Sequence, residues 1–136
     1  MITIPQTIVA EMFEQARAEA PVECCGYLGS RDNVVTKRYP MTNVDNSPEH
    51  FSFDPKEQFK VLKEVRNEGV ALSCVYHSHP ESPARLSQED LRLANDPNIV
   101  YIIVSLFENR EDVKGFKVKK NGDDIAIESV PLTITK

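Results

Sequence analysis

The octapeptide Ile99–Leu106 reads Ile-Val-Tyr-Ile-Ile-Val-Ser-Leu, apolar at odd and even positions alike. A strand of this kind has no face to offer water, so it belongs inside a sheet that is covered on both sides. Five other runs rich in branched and aromatic residues read as strands: Cys24–Leu28, Val34–Tyr39, Ala71–His77, Val113–Lys119 and Ile125–Val130. Lys114–Lys120 alternates charged with apolar residues, as a strand with one wet face does.

Two stretches carry the 3.6-residue period instead. Thr7–Ala20 sets Ile8, Met12 and Ala16 at fourfold spacing with Val9 and Phe13 beside them, and Pro21 ends the helix. The second helix runs from Pro55 to about Asn67. Asp54 is its N-cap, Pro55 suits the first helical position, and Glu57 completes a capping pattern. Phe59, Leu62 and Val65 form its expected buried face, and Gly69 stops it. These elements predict an α+β domain, a curved mixed sheet packed with two to three helices. The pattern does not choose among topologies.

At 136 residues, with 40% hydrophobic and 27% charged, the chain is expected to form one domain spanning 1–136. Its net charge of −5, with no clustered lysine or arginine, gives no footprint for nucleic acid. No apolar stretch approaches the roughly 20 residues needed to span a bilayer, so no membrane partner is expected. The N-terminus lacks the basic region and cleavage signal of a secretory peptide. Three cysteines, two of them adjacent as Cys24 and Cys25, do not make a disulfide framework, so a reducing cytoplasm is the expected compartment.

The chemistry concentrates in His77-Ser78-His79-Pro80-Glu81-Ser82-Pro83-Ala84-Arg85-Leu86-Ser87-Gln88-Glu89-Asp90. Residues i and i+2 of an extended backbone point to the same side, so both imidazoles can reach one metal ion. Imidazole with carboxylate suits Zn²⁺, and three protein ligands with the fourth position left to water is the catalytic arrangement. Asp90 is the best-placed third ligand. Ser87-x-x-Asp90 ahead of Leu91 also reads as a helix start, and an isolated His-x-His is a weak signal. The two readings of Asp90 are compatible, because a helix beginning at Ser87 would hold it in the first turn. Pro80 and Pro83 mark an irregular loop that folds this turn back towards the histidines.

A second stretch is Pro21-Val22-Glu23-Cys24-Cys25-Gly26-Tyr27-Leu28-Gly29. Glu23 is either an exposed carboxylate at a strand entrance or a general base. Gly26 suggests a bulge or a close backbone approach, and Gly29 with Ser30 suggests a turn. Of the adjacent cysteines, one is expected in the core and the other near the site; neither has a basic neighbour to activate it. Cys74 reads as a small buried hydrophobe, His50 as a loop residue, and Ser78 as either a loop-positioning or a locally satisfied hydroxyl.

Glu23, His77-Ser78-His79-Pro80, seven residues, and then Ser87-x-x-Asp90 together resemble the signature of the JAMM (MPN+) metalloproteases. Glu-Cys-Cys-Gly-Tyr-Leu-Gly, the stretch from Asn43 to Pro55, and Tyr101–Leu106 are similar to stand-alone prokaryotic members, and the resemblance covers Ile4 to about Val130. It implies the MPN/JAMM architecture, which is cytidine deaminase-like. It also implies that His77, His79 and Asp90 ligate Zn²⁺, that Glu23 activates the zinc-bound water, and that Ser87 hydrogen-bonds the developing oxyanion. The implied activity is that of a zinc metallopeptidase or isopeptidase, and the implied substrate is the C-terminal tail of a ubiquitin-like or sulfur-carrier protein. The short segment Leu91–Asn98 leaves little room for the long insertion of polyubiquitin-specific relatives, a departure that speaks against linkage-specific deubiquitination. Two alternatives stand beside this reading. One is a non-catalytic MPN-type interaction module, which normally lacks one or more ligands. The other is a RadC-like zinc protein linked to DNA repair, which typically has Ser-Gly after the His-x-His-Pro where this chain has Glu81-Ser82.

Overall fold

In the computed structural model, which describes residues 1–136, the chain runs β1 (Ile2–Pro5), α1 (Gln6–Glu19), β2 (Cys25–Arg31), β3 (Val34–Met41), α2 (Pro55–Glu68), β4 (Ala71–His79), α3 (Gln88–Leu93), β5 (Val100–Ser105), β6 (Asp112–Asn121), β7 (Asp124–Val130) and β8 (Leu132–Thr135), with one 3₁₀ turn at Phe107–Asn109. The strands form one mixed sheet in the order β7-β6-β5-β4-β2-β3-β1-β8. The doubly apolar run is internal, as predicted: β5 lies parallel to β4 and antiparallel to β6. All six predicted strands and the three helices form, so the architecture is α+β. The terminal strands β1 and β8 were not predicted; they pair in parallel with each other, and β1 also pairs with β3.

Alternation along β2, β4 and β5 sorts side chains onto two faces. On one, Cys24, Leu28, Cys74, Tyr76, Ile102 and Val104 pack with Ile8, Met12, Phe13 and Ala16 of α1. On the other, Cys25, Tyr27 and Val75 pack with Val61 and Val65 of α2. The adjacent cysteines thus enter opposite cores, and Cys25 lies directly across from His77 in the β2–β4 ladder.

Three local expectations are corrected. The buried stripe of α2 is Val61 and Val65, whereas Phe59 is 61% and Leu62 46% exposed. Position 58 takes part in that stripe as a polar residue, its amide donating to the Tyr27 hydroxyl at 2.7 Å, which rotates Phe59 outward. Asp54 caps α2 by accepting from the Lys56 N–H, and Gly69 ends it in the left-handed conformation, both as expected. Glu57, however, does not close a capping box; its carboxylate accepts from the Thr42 N–H and hydroxyl instead. Finally, Gly29 and Ser30 are strand residues where the register of β2 shifts, and the chain turns two residues later at Asp32-Asn33, with φ of 52° and 65°. Two successive left-handed residues match the twist of a tight hairpin. Gly26 answers to close approach rather than to a bulge. A Cβ there would lie 2.5 Å from the ring of Tyr76, its cross-strand partner.

Candidate active site

His77 and His79 end β4, and because they are two apart both rings leave the α2 face of the sheet. Pro80 halts the strand, and the irregular segment 80–87 returns the chain to α3. There Ser87 is the N-cap: its hydroxyl accepts from the Asp90 N–H at 3.0 Å, and its own N–H donates to Asp90 Oδ2 at 3.0 Å. This reciprocal box satisfies two otherwise orphaned helix donors and immobilises the Asp90 carboxylate. The cap and the metal-site readings of this motif therefore coexist in one geometry.

The result is a buried cluster in which ligand-capable atoms of His77, His79 and Asp90 converge. His77 Nε2 lies 3.2 Å from His79 Nε2 and 3.1 Å from Asp90 Oδ1, and His79 Nε2 lies 3.0 Å from Asp90 Oδ2. Ligands about 2.0–2.1 Å from a tetrahedral zinc are separated by roughly 3.3 Å, close to these spacings. The donor chemistry agrees. The Pro83 carbonyl, 2.9 Å from His79 Nδ1, can only accept, so it holds the proton on Nδ1. That leaves the lone pair of Nε2 facing a carboxylate oxygen, an arrangement that calls for a cation or an added proton between them. Burial works against ionisation of Asp90, but hydrogen bonds with both imidazoles outweigh it and hold the carboxyl well below its usual range. Burial likewise disfavours the His79 imidazolium, while Asp90 and the Pro83 carbonyl more than compensate and raise its pKa. The residues fit a divalent metal.

Glu23 lies just before β2 and is 3% exposed, not the exposed strand-entrance carboxylate of the alternative reading. Its Oε1 has no hydrogen-bond partner, and burial lifts the carboxyl to about 8 against the attraction of His79. A buried, unpartnered carboxylate facing a histidine cluster costs stability unless a proton or a substrate meets it. Glu23, His79 and Ser87 line one cleft of about 410 Å³ together with Glu49, Ser82 and Glu89. The structure thus brings together all five residues singled out in the sequence. Ser78 acts as a clasp: its hydroxyl accepts from the Cys24 N–H at 2.8 Å and its N–H donates to the Cys24 carbonyl at 3.0 Å, tying the histidine strand to the residue after Glu23. His50 sits in a loop and bonds Asp45, and it is not one of the converging ligand-capable residues. All three cysteines are buried and free.

Two further contributors lie in the Asn43 to Pro55 stretch, whose resemblance to prokaryotic members assigned no role to either residue. Phe51 stacks on His77, with ring centroids 4.9 Å apart and planes inclined by 26°. Asn43 is a buried loop amide bonded to the Glu23 carbonyl. Neither belongs to a spacing motif, because each acts through a fold brought from elsewhere in the chain.

A curled mixed sheet that presents a His-x-His strand end and a helix-held aspartate beside a buried glutamate defines the JAMM/MPN class of hydrolases. Residues 5–118 match the family of prokaryotic homologs of the JAB domain, and the chain belongs to that family. It is 35% identical over 102 residues to a desampylase of Haloferax volcanii, covering 73% of each chain. It is 29% identical over 121 residues to the CysO-cysteine peptidase of Mycobacterium tuberculosis, covering 87% of this chain and 83% of that one. The solution structure of protein DSY2949 from Desulfitobacterium hafniense is 40% identical, covers 100% of this chain and 94% of its own, and superposes with a TM-score of 0.88.

Proposed function

We propose that this chain is a zinc-dependent peptidase or isopeptidase that cuts at the C-terminal tail of a ubiquitin-like or sulfur-carrier protein. His77, His79 and Asp90 are the residues that hold the metal, Glu23 is the general base, and Ser87 is the oxyanion donor. A zinc ion in this cluster would polarise the scissile carbonyl and lower the pKa of a water towards about 7.

The chain's own residues supply the rest. Glu23, a buried carboxyl with an unpartnered oxygen in the same cleft as His79, is placed to take a proton from the attacking water and return it to the leaving amine. Ser87 uses an oxygen lone pair for the cap, so its O–H proton remains available to the carbonyl oxygen as charge builds there. The Pro83 carbonyl keeps His79 in the tautomer that offers Nε2. The observation carrying this reading is the convergence of three buried ligand atoms beside a buried carboxylate with an unpartnered oxygen.

Substrate class rests on the relatives and on surface shape. A sheet edge is the expected docking place for an extended tail, but the free edges here are β7 and β8, which carry none of the five residues. An apolar groove of about 660 Å³, lined by Tyr27, Phe51, Phe53, Leu93 and Tyr101 among others, reaches the site through the Phe51 ring on His77 and suits an extended apolar tail better. The test is incubation of zinc-loaded protein with ubiquitin-like carriers bearing C-terminal extensions, with products read by mass spectrometry. Cleavage after the carrier tail is expected. It should vanish on chelation and fall about 10²–10⁴-fold in Glu23→Gln, which keeps its zinc. Wild-type cleavage by Glu23→Gln, or stoichiometric zinc in His79→Ala, would overturn the assignment.

A further inference from the structure

Glu23 sits between α1 and β2, where no sheet ladder fixes its backbone. A base must nevertheless be held to within a fraction of an ångström. Its N–H donates to the Ser47 carbonyl at 2.9 Å, and its carbonyl accepts from the Asn43 side-chain amide at 3.0 Å. Both partners belong to the loop between β3 and α2. The same Asn43 amide donates to the His50 carbonyl at 3.0 Å, while its Oδ1 accepts from the N–H groups of Asp45 at 3.0 Å and Ser52 at 3.3 Å.

A primary amide has two donor hydrogens and two acceptor lone pairs, and here all four are used. Asn43 is buried at 6% exposure, so none of these bonds is traded for water. Three of its four bonds, to the backbone of Asp45, His50 and Ser52, fold the loop upon itself and seat Phe51, the neighbour of His50, against His77. The fourth reaches out of the loop to the backbone of Glu23.

We propose that Asn43 is a positioning residue for catalysis, one carboxamide that fixes both the backbone of Glu23 and the Phe51 wall of the metal cluster. The proposal rests on the role of Glu23 as base set out above. It makes no contact between Asn43 and substrate; the effect passes through Glu23.

A double-mutant cycle tests it. Cleavage of a ubiquitin-like carrier with a C-terminal peptide extension is followed under single-turnover and steady-state conditions for zinc-loaded wild type, Asn43→Ala, Glu23→Gln and the double variant. A misplaced catalytic group typically costs about 10²-fold, so Asn43→Ala is expected to lose about that factor in kcat with KM unchanged and zinc retained. In the Glu23→Gln background the same substitution should cost nothing further, since no base remains to be misplaced. Asn43→Asp keeps both acceptances but turns a carboxylate oxygen towards the Glu23 and His50 carbonyls, so it should lose at least as much kcat as Asn43→Ala, and thermal melts of both variants show that each is folded. Independently of turnover, NMR of either Asn43 variant should show faster exchange of the Glu23 amide proton and shifted His77 ring resonances as Phe51 loses its seat. Losses that multiply in full with those of Glu23→Gln, wild-type kcat in both Asn43 variants, or unchanged Glu23 amide exchange would overturn the proposal. Wild-type turnover in Glu23→Gln would instead overturn the assignment of the base, and this proposal with it.

Discussion

Ser87 shows how much one oxygen can carry. Its lone pair caps α3, its backbone N–H pins Asp90, and its hydroxyl proton stays free for the oxyanion of the proposed reaction. Ser87→Ala removes the first and third of these but leaves the N–H that orients Asp90. Turnover should therefore fall about 10²–10³-fold, stability by about 1 kcal/mol, and zinc stoichiometry not at all; kinetics, thermal melts and metal analysis read the three separately. The cysteines are the opposite case. Burial pushes the Cys24 thiol up to about 12 and Cys74 up to about 11, from an ordinary value of 9. At pH 8 all three should resist iodoacetamide in the native state, since a buried thiol with a raised pKa is a poor nucleophile. The sign for stability follows from linkage. The folded state keeps these protons while the unfolded chain gives them up above about pH 9, so their contribution is full below pH 9 and is lost as pH rises towards 11 and 12. Thermal midpoints should hold between pH 7 and 8.5 and fall at pH 10.5.

At the scale of elements, the site depends on β2 and β4 lying flush. Where Gly26 faces Tyr76, the tyrosine ring fills the space a Cβ would need. The Tyr76 hydroxyl in turn accepts from Arg38 at 3.2 Å and donates to Gln15, locking α1 and β3 to the same point. Gly26→Ala should destabilise by about 1–3 kcal/mol through overpacking, and because Gly26 lies three residues from Glu23 it should reduce turnover as well; denaturant titration checks the first and kinetics the second. Much at this scale was legible beforehand. Runs rich in branched and aromatic residues located six strands, the 3.6-residue period located α1 and α2, and the Ser87 capping motif located α3, since each of these signals is local. What was illegible is informative. The stripe of α2 was misplaced because Phe59 and Leu62 are apolar in composition but not in position, and Gln58, polar yet bonded to Tyr27, holds the inner face. The strands β1 and β8 are four residues each, too short for a periodic signal, and exist because the two ends of the chain meet.

At the scale of the whole molecule, the sheet stacks a stable body under a site that is costly by itself. Three converging side chains that could ligate a metal and a buried carboxylate cost stability wherever no cation or proton meets them. Zinc should therefore raise the thermal midpoint, and chelation should lower it without abolishing the fold, because both apolar cores lie elsewhere; differential scanning calorimetry with and without chelator checks this. A chain that unfolded entirely on chelation would show the metal to be structural. By itself the sequence determined the residue types of the site and the local rules that pose them. Alternation puts His77 and His79 on one side of a strand, and the capping box sets Asp90 at a helix start, both through neighbours a few positions away. Only the tertiary structure decided that Glu23, 54 residues before His77, meets them, and that Asn43 and Phe51 support that meeting. Those contacts depend on strand order and on which loop covers which strand end, and such choices are made by burying surface between segments distant in the chain, which no local spacing records.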